Sequence, residues 1–578
     1  MQIISDNYSI LRLKLKELST ARSFQCIDTQ SREEKVEHLY YQMQQIVNVA
    51  GIKAVDILTD MGKLLTVMES PCLVIAPGLS PLLASHYNLC MGTIISLAGK
   101  SISELQGYID DLETLKTKGI YMVTELDRGN NVMGLQTQAY FDEELQQFII
   151  NTPVAGACKF MPYLSSDHQP KLAVVMARLW LKEKEYGVHP FIVRCRDQNG
   201  KLLTGIKVSK LSTVDMYSSE VDHSVTSFDN VRVPYHAFLG GDLNQVTTEG
   251  HFLTKNTSKR DIFFNSLCRV EWGKLVLVAA LMSHYKMAIA VAIEYSKKRK
   301  VNGKNTEFKL SDIATHKLDL ANAYVALTAS IALYEDTKQR CLTVEQTHEE
   351  LQHEAAVVKA MCVEIARGAL NTCMARAGAH GKMIRNRIAQ AVIINDHTAT
   401  AEGDSLPVLM KIAKDVISSN LVPEQLHDIQ TISITTQPAL LQLLLTQINL
   451  LSQQMREKLD TDENQSLAWN NSTHIAKELA WAYGIYKTAI TLRSRSNVQR
   501  SFCINHILSN AAWFSANQLV TGEEFQKLRE CYEEICIDIF DKEATSVAEE
   551  FDIVDLVKMT PIGSDDNAFK WVELSEFS

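Results

Sequence analysis

The sequence predicts a mostly helical α+β chain in which one β domain is set between helical regions. Three observations carry this. Apolar residues recur at helical spacing up to about Gly119, and again from about residue 258 onward. Between these stretches, short runs rich in β-branched and aromatic residues alternate with turn chemistry. At 578 residues, with 46% hydrophobic and 22% charged residues and only 12 prolines, the chain has an ordinary folded composition, long enough for three or four domains. The expected boundaries are 1–118 for an N-terminal α domain, 119–257 for a central antiparallel β domain, 258–424 for an α-bundle domain and 425–578 for a C-terminal α domain.

The elements follow in order. In residues 33–68 charged and apolar residues interleave at helical spacing, and LLASHYNLCMGTIISLAG (82–99) reads as an apolar helix ended by a glycine. From Gly119 the strand-like runs are IYMVTEL, QFIINTPV, KLAVVMARLWL, HPFIVRCRD and SVTSFDNVRVP, and Asn199-Gly200 gives a hairpin signal. Helix-length apolar faces return at 268–298, 311–340, 343–379, 386–395, 404–420, 439–460 and 470–495, with Pro423 and Pro438 bracketing a linker.

Composition and motifs exclude several functions. A net charge of −10 argues against a general nucleic-acid surface. The apolar runs, such as LVLVAALM at 275–282, fall short of the roughly 20 residues that span a bilayer, so no membrane span is expected. The 12 cysteines form no CxxC pair and suit reduced, mostly buried thiols. GxGxxG, GxxxxGK[ST] and GxSxG are all missing. HEELQHE (348–354) places its histidines five apart, whereas a HExxH zinc site needs four, so it reads as a polar helix face and no metal site is expected. KKRK (297–300) suits a solvated helix end, a nuclear-import signal or a phosphate-binding patch.

One stretch raises a chemical question: HTATAEGDSLPVLMKIAKDVI, 397–417. Leu406, Leu409, Met410, Ala413, Val416 and Ile417 make one apolar helix face, Asp404 and Ser405 are N-cap types and Pro407 suits a first turn. Glu402 sits just outside that helix. It reads either as a charge favoured at a helix N-terminus or as a base at the mouth of a pocket.

YMVTELDRGNNVMGLQTQAYFD (121–142) is similar to the T-E-L-G-H-G-x-N-V-x-G-L-x-T-x-A-x-Y-D signature of the peroxisomal acyl-CoA oxidases, within the acyl-CoA dehydrogenase superfamily. The resemblance continues in order through SPLLASHYNLCMGTIISLAG, GVHPFIVRCRDQNGK, SFDNVRVPYHAFLGG, Arg269-Val270, AIEYSKKRK, RAGAHGK, TAEGDS and TPIGSDD. It implies the α, β, four-helix and C-terminal α domains of that family, a homodimer, and FAD bound where the β and α domains join. It also implies an acyl-CoA or acyl-carrier thioester as substrate, dehydrogenated to the trans-2-enoyl product, with oxygen reoxidising the flavin. By position, Glu402 matches the family's catalytic base, whose backbone N–H helps to hold the thioester oxygen. Thr124 matches the threonine on the flavin and Arg299 the arginine at the FAD pyrophosphate; Gly378 and Gly381 fall in the cofactor-binding A-C-G-G-H-G-Y stretch. KKRK then reads as the phosphate-facing cluster.

Several positions depart from the pattern. Tyr163 replaces the last glycine of K-W-W-P-G, a cofactor-facing position. Arg299-Lys300-Val301 replaces R-R-Q, and MYSSEVDHS (216–224) lacks two loop glycines. Ala401 and Ser405 replace a tyrosine and an asparagine around Glu402, and Asp127-Arg128 replaces G-H. Two functions therefore remain open: a divergent FAD-dependent acyl-CoA oxidase or dehydrogenase with an unusual acyl substrate, and a non-catalytic scaffold of the same fold. The lack of an apolar leader and the ending SEFS, in place of an S-K-L-type tripeptide, lead to the expectation of a cytoplasmic protein.

Overall fold

The structure is a computed structural model and describes residues 8–25, 31–211, 221–304, 306–343, 347–419, 421, 433–460 and 464–565. Residues 216–220 of the MYSSEVDHS loop, Pro423, Cys26 and the SEFS ending lie outside the described residues. The chain divides into two compact units, Met1–Ala280 and Leu281–Ser578.

The first unit opens with α1 (Ser9–Thr20), α2 (Arg32–Ala50) and α3 (Met61–Met68). Ser31 and Glu34 form a reciprocal capping box at the start of α2, and Gly51, at φ 56°, ends it. The apolar stretch expected at 82–99 is helical from Leu79 to Leu97, with π-type turns over Ala84–Met91, and stops before Gly99, whose φ is 51°. Helix α4 (Ile102–Glu113) leads into the sheets.

Among the described residues the two larger sheets are built from β1 (Lys118–Met122), β2 (Gln138–Asp142), β3 (Gln147–Asn151), β4 (Lys159–Tyr163), β5 (Lys171–Leu181), β6 (Lys184–Arg196), β7 (Ile206–Lys210), β8 (His223–Phe228) and β9 (Val231–Pro234). One sheet runs β1-β5-β2-β3-β9 with β6 on the other edge of β5, and a second runs β4-β8-β7. The sheet is mixed, not purely antiparallel as expected. The long strand β5 takes β1 along Lys171–Val175 and β2 along Arg178–Trp180, both parallel. Parallel pairs close through crossovers and so leave no local turn signal in the sequence. The turn at Asn199-Gly200 forms, with the Gly200 N–H donating to the Asp197 carbonyl at 3.0 Å, but its backbone pairs with β6 through the single bridge Arg196–Leu202, helped by the Arg196 guanidinium on the Gly200 carbonyl at 2.6 Å. The long hairpin is β5–β6. It turns at Lys182-Glu183, both with left-handed φ (47° and 68°), and neither residue type announces that conformation.

The expected helices after residue 258 form close to their expected places: α5 (Val270–Lys298), α6 (Ala314–Thr343), α7 (His348–Arg376), α8 (Ile388–Thr400), α9 (Ser405–Ser418), α10 (Gln437–Asp460) and α11 (Thr473–Thr491). Two more, α12 (Ser496–Ser509) and α13 (Gly522–Lys542), complete the long helices of the second unit. Within that unit α7 packs against α6, α8 and α9, while α11 packs against α9, α10 and α6. Residues 259–298 are long and apolar enough to cross a membrane by composition alone, but 94% of their most apolar window is buried, the property of a core helix. The described cysteines are free. No cluster of three or more His, Cys, Asp or Glu that could hold a metal occurs among the described residues. The polar face read at 348–354 is exposed only in part: His353 is buried between Asp415 and the Tyr483 hydroxyl, and Glu354 between Arg340 and Lys487.

Candidate functional site

Glu402 lies where α8 hands over to α9. The Ala401 N–H closes α8 on the His397 carbonyl at 3.0 Å, and Asp404 caps α9, its side chain accepting from the Leu406 N–H at 3.0 Å. Two residues make the reversal between these ends: Glu402 at φ 52° and Gly403 at φ 102°. A left-handed non-glycine residue costs on the order of 1–3 kcal/mol, so something must hold Glu402 there. The structure supplies it in Lys359 of α7, whose side chain is fully buried and whose Nζ donates to the carbonyls of Ala401 and Gly403 on either side of Glu402. Hydrogen bonds from a charged donor contribute roughly 1.5–3 kcal/mol each, enough to outweigh the strain. The Ser405 hydroxyl is turned back toward the Ala399 carbonyl at 3.4 Å, and Glu402 itself is half-buried.

In the same unit, three of the four basic residues at 297–300 are tied down. Lys297 bonds Glu294 and the Thr545 carbonyl, Lys298 bonds the Gly563 carbonyl at 2.6 Å and pairs with Asp565 at 3.2 Å, and Lys300 pairs with Glu307 at 3.2 Å. Arg299 is exposed and makes no ion pair among the described residues. The cluster is thus one available guanidinium flanked by spent lysines. Gly378 and Gly381 have backbone reasons of their own. Gly378, at φ 61°, turns the chain out of α7, and at Gly381 a Cβ would come within 2.4 Å of the Met374 carbonyl oxygen.

In the first unit, Thr124 is half-buried just beyond β1, and its carbonyl accepts from the Phe160 N–H at 2.9 Å. The neighbouring Glu125 is buried, and sequence reasoning gave it no role. Its carboxylate accepts from the Gln136 N–H (2.7 Å), the Thr137 N–H (2.8 Å) and hydroxyl (2.6 Å), and Lys159 (3.1 Å). Lys159 also donates to the carbonyls of Val123 (3.2 Å) and Met176 (2.8 Å). Burial pushes the Lys159 ammonium down to about 8 against the pull of Glu125. Burial works to raise the Glu125 carboxyl, but the Lys159 charge and the Thr137 and Gln136 bonds hold it below the usual range. The pair is therefore ionised at neutral pH.

Tyr163 ends β4 with its ring 4.9 Å from that of His223. The left-handed residue of this strand is Met161 (φ 67°), so the backbone at Tyr163 does not require the glycine that the family has there. The Tyr163 carbonyl accepts from Lys171 at 2.9 Å, a third fully buried lysine, which also contacts Asp222 and the Tyr40 hydroxyl. Sequence reasoning missed Lys159, Lys171 and Lys359. Their shared signal is a lone lysine in an apolar setting, as in VVKAM (357–361).

Residues 270–417 match the family model of the acyl-CoA oxidase C-alpha1 domain. The chain is 29% identical over 349 residues to an acyl-coenzyme A oxidase-like protein of Mus musculus, and 28% identical over 408 residues to acyl-coenzyme A oxidase 2, peroxisomal, of Arabidopsis thaliana. The chain is a divergent relative of the acyl-CoA oxidases. The two alignments cover 57% and 67% of this chain, but only 53% and 57% of those relatives. The whole fold is that of acyl-CoA oxidase 3 from Yarrowia lipolytica, with a TM-score of 0.83 at 19% identity, covering 99% of this chain and 89% of that one. An acyl-CoA oxidase-2 of Caenorhabditis elegans, solved with FAD, ascaroside-CoA and ATP, has a TM-score of 0.82 at 18% identity, covering 98% of this chain and 90% of that one. The cytoplasmic expectation is corrected by these findings: relatives from Arabidopsis thaliana and Homo sapiens are named peroxisomal, and the ending SEFS was too slight a ground for the opposite reading.

Proposed function

We propose that this acyl-CoA oxidase-like chain dehydrogenates an acyl thioester, carried by CoA or an acyl carrier, at its α and β carbons, working as a homodimer with Glu402 as base. The observation that carries the reading is the loop at Glu402, where a carboxylate and its own backbone N–H are presented from one strained residue fixed between two helices. Glu402 takes the α proton, and the C–H electron pair moves toward the thioester carbonyl. Negative charge grows on that oxygen, so a fixed N–H donor lowers the barrier there more than in the ground state. FAD, when bound, supplies the acceptor for the β hydride and passes electrons on to oxygen. Within the second unit Arg299 fits such a group, since it is exposed and makes no ion pair among the described residues, so its guanidinium would be available to a pyrophosphate. Ala401 and Ser405 are both smaller than the family residues, a change that would suit an unusual acyl group.

The test begins with colour. We expect the purified protein to be yellow and to release FAD on denaturation, and acyl-CoA to bleach it. Glu402→Gln is expected to keep the flavin and lose at least about 10³-fold in bleaching rate, the scale of removing a general base together with its charge. A colourless protein that cannot be reconstituted with FAD leaves the non-catalytic scaffold as the reading. Unchanged bleaching in Glu402→Gln removes the assigned role. Peroxide formed in air separates oxidase from dehydrogenase.

A further inference from the structure

Lys359 is a fully buried cation to which the proposed chemistry gives no part, yet its ammonium grips the two carbonyls that flank Glu402. We infer that Lys359 is a positioning residue that aims and polarises the backbone N–H of Glu402. The inference rests on the reading of Glu402 as the base whose N–H meets the thioester oxygen.

The geometry follows from the peptide unit. Peptide bonds are planar and trans, and no cis bond occurs among the described residues, so the C=O and N–H of one unit point in opposite directions. The carbonyl of Ala401 and the N–H of Glu402 belong to one such unit. With the carbonyl drawn onto Lys359 in α7, the Glu402 N–H is directed away from α7. The Gly403 carbonyl and the Asp404 N–H repeat the arrangement two residues on. Both carbonyls converge on one ammonium, so the two N–H groups point away from it.

The cation does more than fix direction. An ammonium on a carbonyl oxygen draws electron density through the amide, and hydrogen bonds chained in a low-dielectric setting strengthen one another. The Glu402 N–H therefore becomes a better donor to a developing oxyanion than an amide whose carbonyl faces water. A neutral donor at position 359 could hold the loop, but it would not polarise it to the same degree.

Lys359→Met in the full chain tests this, because methionine keeps most of the volume and loses both charge and donors. Two readouts are needed. Hydrogen–deuterium exchange of the ligand-free protein is expected to show residues 401–405 exchanging at least about 10-fold faster, with α10 and α11 unchanged, since the loop loses its tie while the fold remains. In FAD-reconstituted protein, bleaching at saturating acyl-CoA is expected to slow by about 10²-fold, the scale of losing an oxyanion donor, while the half-saturating concentration moves less than about 3-fold. Unchanged exchange overturns the positioning role whatever the flavin does. Raised exchange with an unchanged bleaching rate reduces Lys359 to a structural tie and overturns the inference. If wild-type protein is yellow but never bleached, the proposed function falls and takes the polarising role with it, while the exchange arm still decides whether Lys359 holds the loop. Should Lys359→Met not fold, Lys359→Gln, whose neutral amide can still hold the carbonyls, is read by bleaching: a rate slowed while residues 401–405 exchange as in the wild type supports the polarising role, and an unchanged rate overturns it.

Discussion

Replacing Lys159 with methionine should destabilise the first unit by about 3–5 kcal/mol, the range for removing one partner of a buried ion pair. The structure places the cost near the lower end of that range. Glu125 loses its counter-charge at 3.1 Å but keeps bonds from the Gln136 N–H, the Thr137 N–H and the Thr137 hydroxyl, so its carboxylate is not stranded. The carbonyls of Val123 and Met176 each lose a donor. For a unit of this size each kcal/mol moves the melting temperature by roughly 2–4 °C, so a fall of about 6–12 °C is expected in calorimetry. A cycle with Glu125→Gln isolates the pair. The double variant should be more stable than the two single effects predict, by on the order of 1–3 kcal/mol, because a neutral amide at position 125 no longer needs the ammonium. Exchange should quicken locally in β1 and β4, the strands the pair ties together beside Thr124. Additive effects in the cycle, or a melting shift under about 1 °C, would refute the view that this buried pair holds the strand ends in place.

The remaining predictions concern acid and glycine. Burial pushes His86 and His284 down to about 3, and His189 and His506 down to about 4, so the folded chain keeps them neutral. The unfolded chain protonates them below about pH 6.5 and so binds more protons, and stability should fall as pH drops from about 6.5 to 5 by up to roughly 1.4 kcal/mol per group per pH unit. Urea midpoints at pH 7, 6 and 5 check this above the range where the depressed carboxylates Glu125 and Asp222 contribute, and a flat profile would contradict it. Gly381→Ala should cost more than Gly378→Ala, about 1–3 against about 1 kcal/mol, because the first forces a Cβ onto the Met374 carbonyl while the second meets only its own left-handed φ in open space. Paired thermal melts decide it, and the reverse order would count against the packing read at Gly381.

The helices were legible because each carries its own period. After residue 258 the apolar faces and the caps place α5 to α11 close to their observed ends, and Asp404, one of the two N-cap types read there, marks where α9 begins. The β domain was legible as strands but not as pairings. The parallel neighbours of β5 are joined through crossovers, and the β5–β6 hairpin turns on Lys182-Glu183, residues with no preference for left-handed backbone. Register and partner choice are tertiary, and the local sequence does not carry them.

The candidate site divides along the same line. Glu402, Thr124 and Tyr163 were identified from the motifs around them, but what fixes them was not, since a buried lysine and an exposed one are the same letter. Lys359 holds the carbonyls on both sides of Glu402, Lys159 the carbonyl just before Thr124, and Lys171 the carbonyl of Tyr163 itself. An ammonium taken out of water loses several kcal/mol of solvation before any partner returns it. Three such groups, each placed at a backbone segment that bears a candidate site residue, are hard to explain as packing, because a methionine would fill the same volume without that cost. The departures from the family pattern fall on side chains such as Ala401, Ser405 and Tyr163, while Lys359, Lys159 and Lys171 act on the backbone beside the candidate residues. Under the proposed function these lysines would govern how the base and its N–H are presented, and the altered side chains would bear on the acyl group held against them.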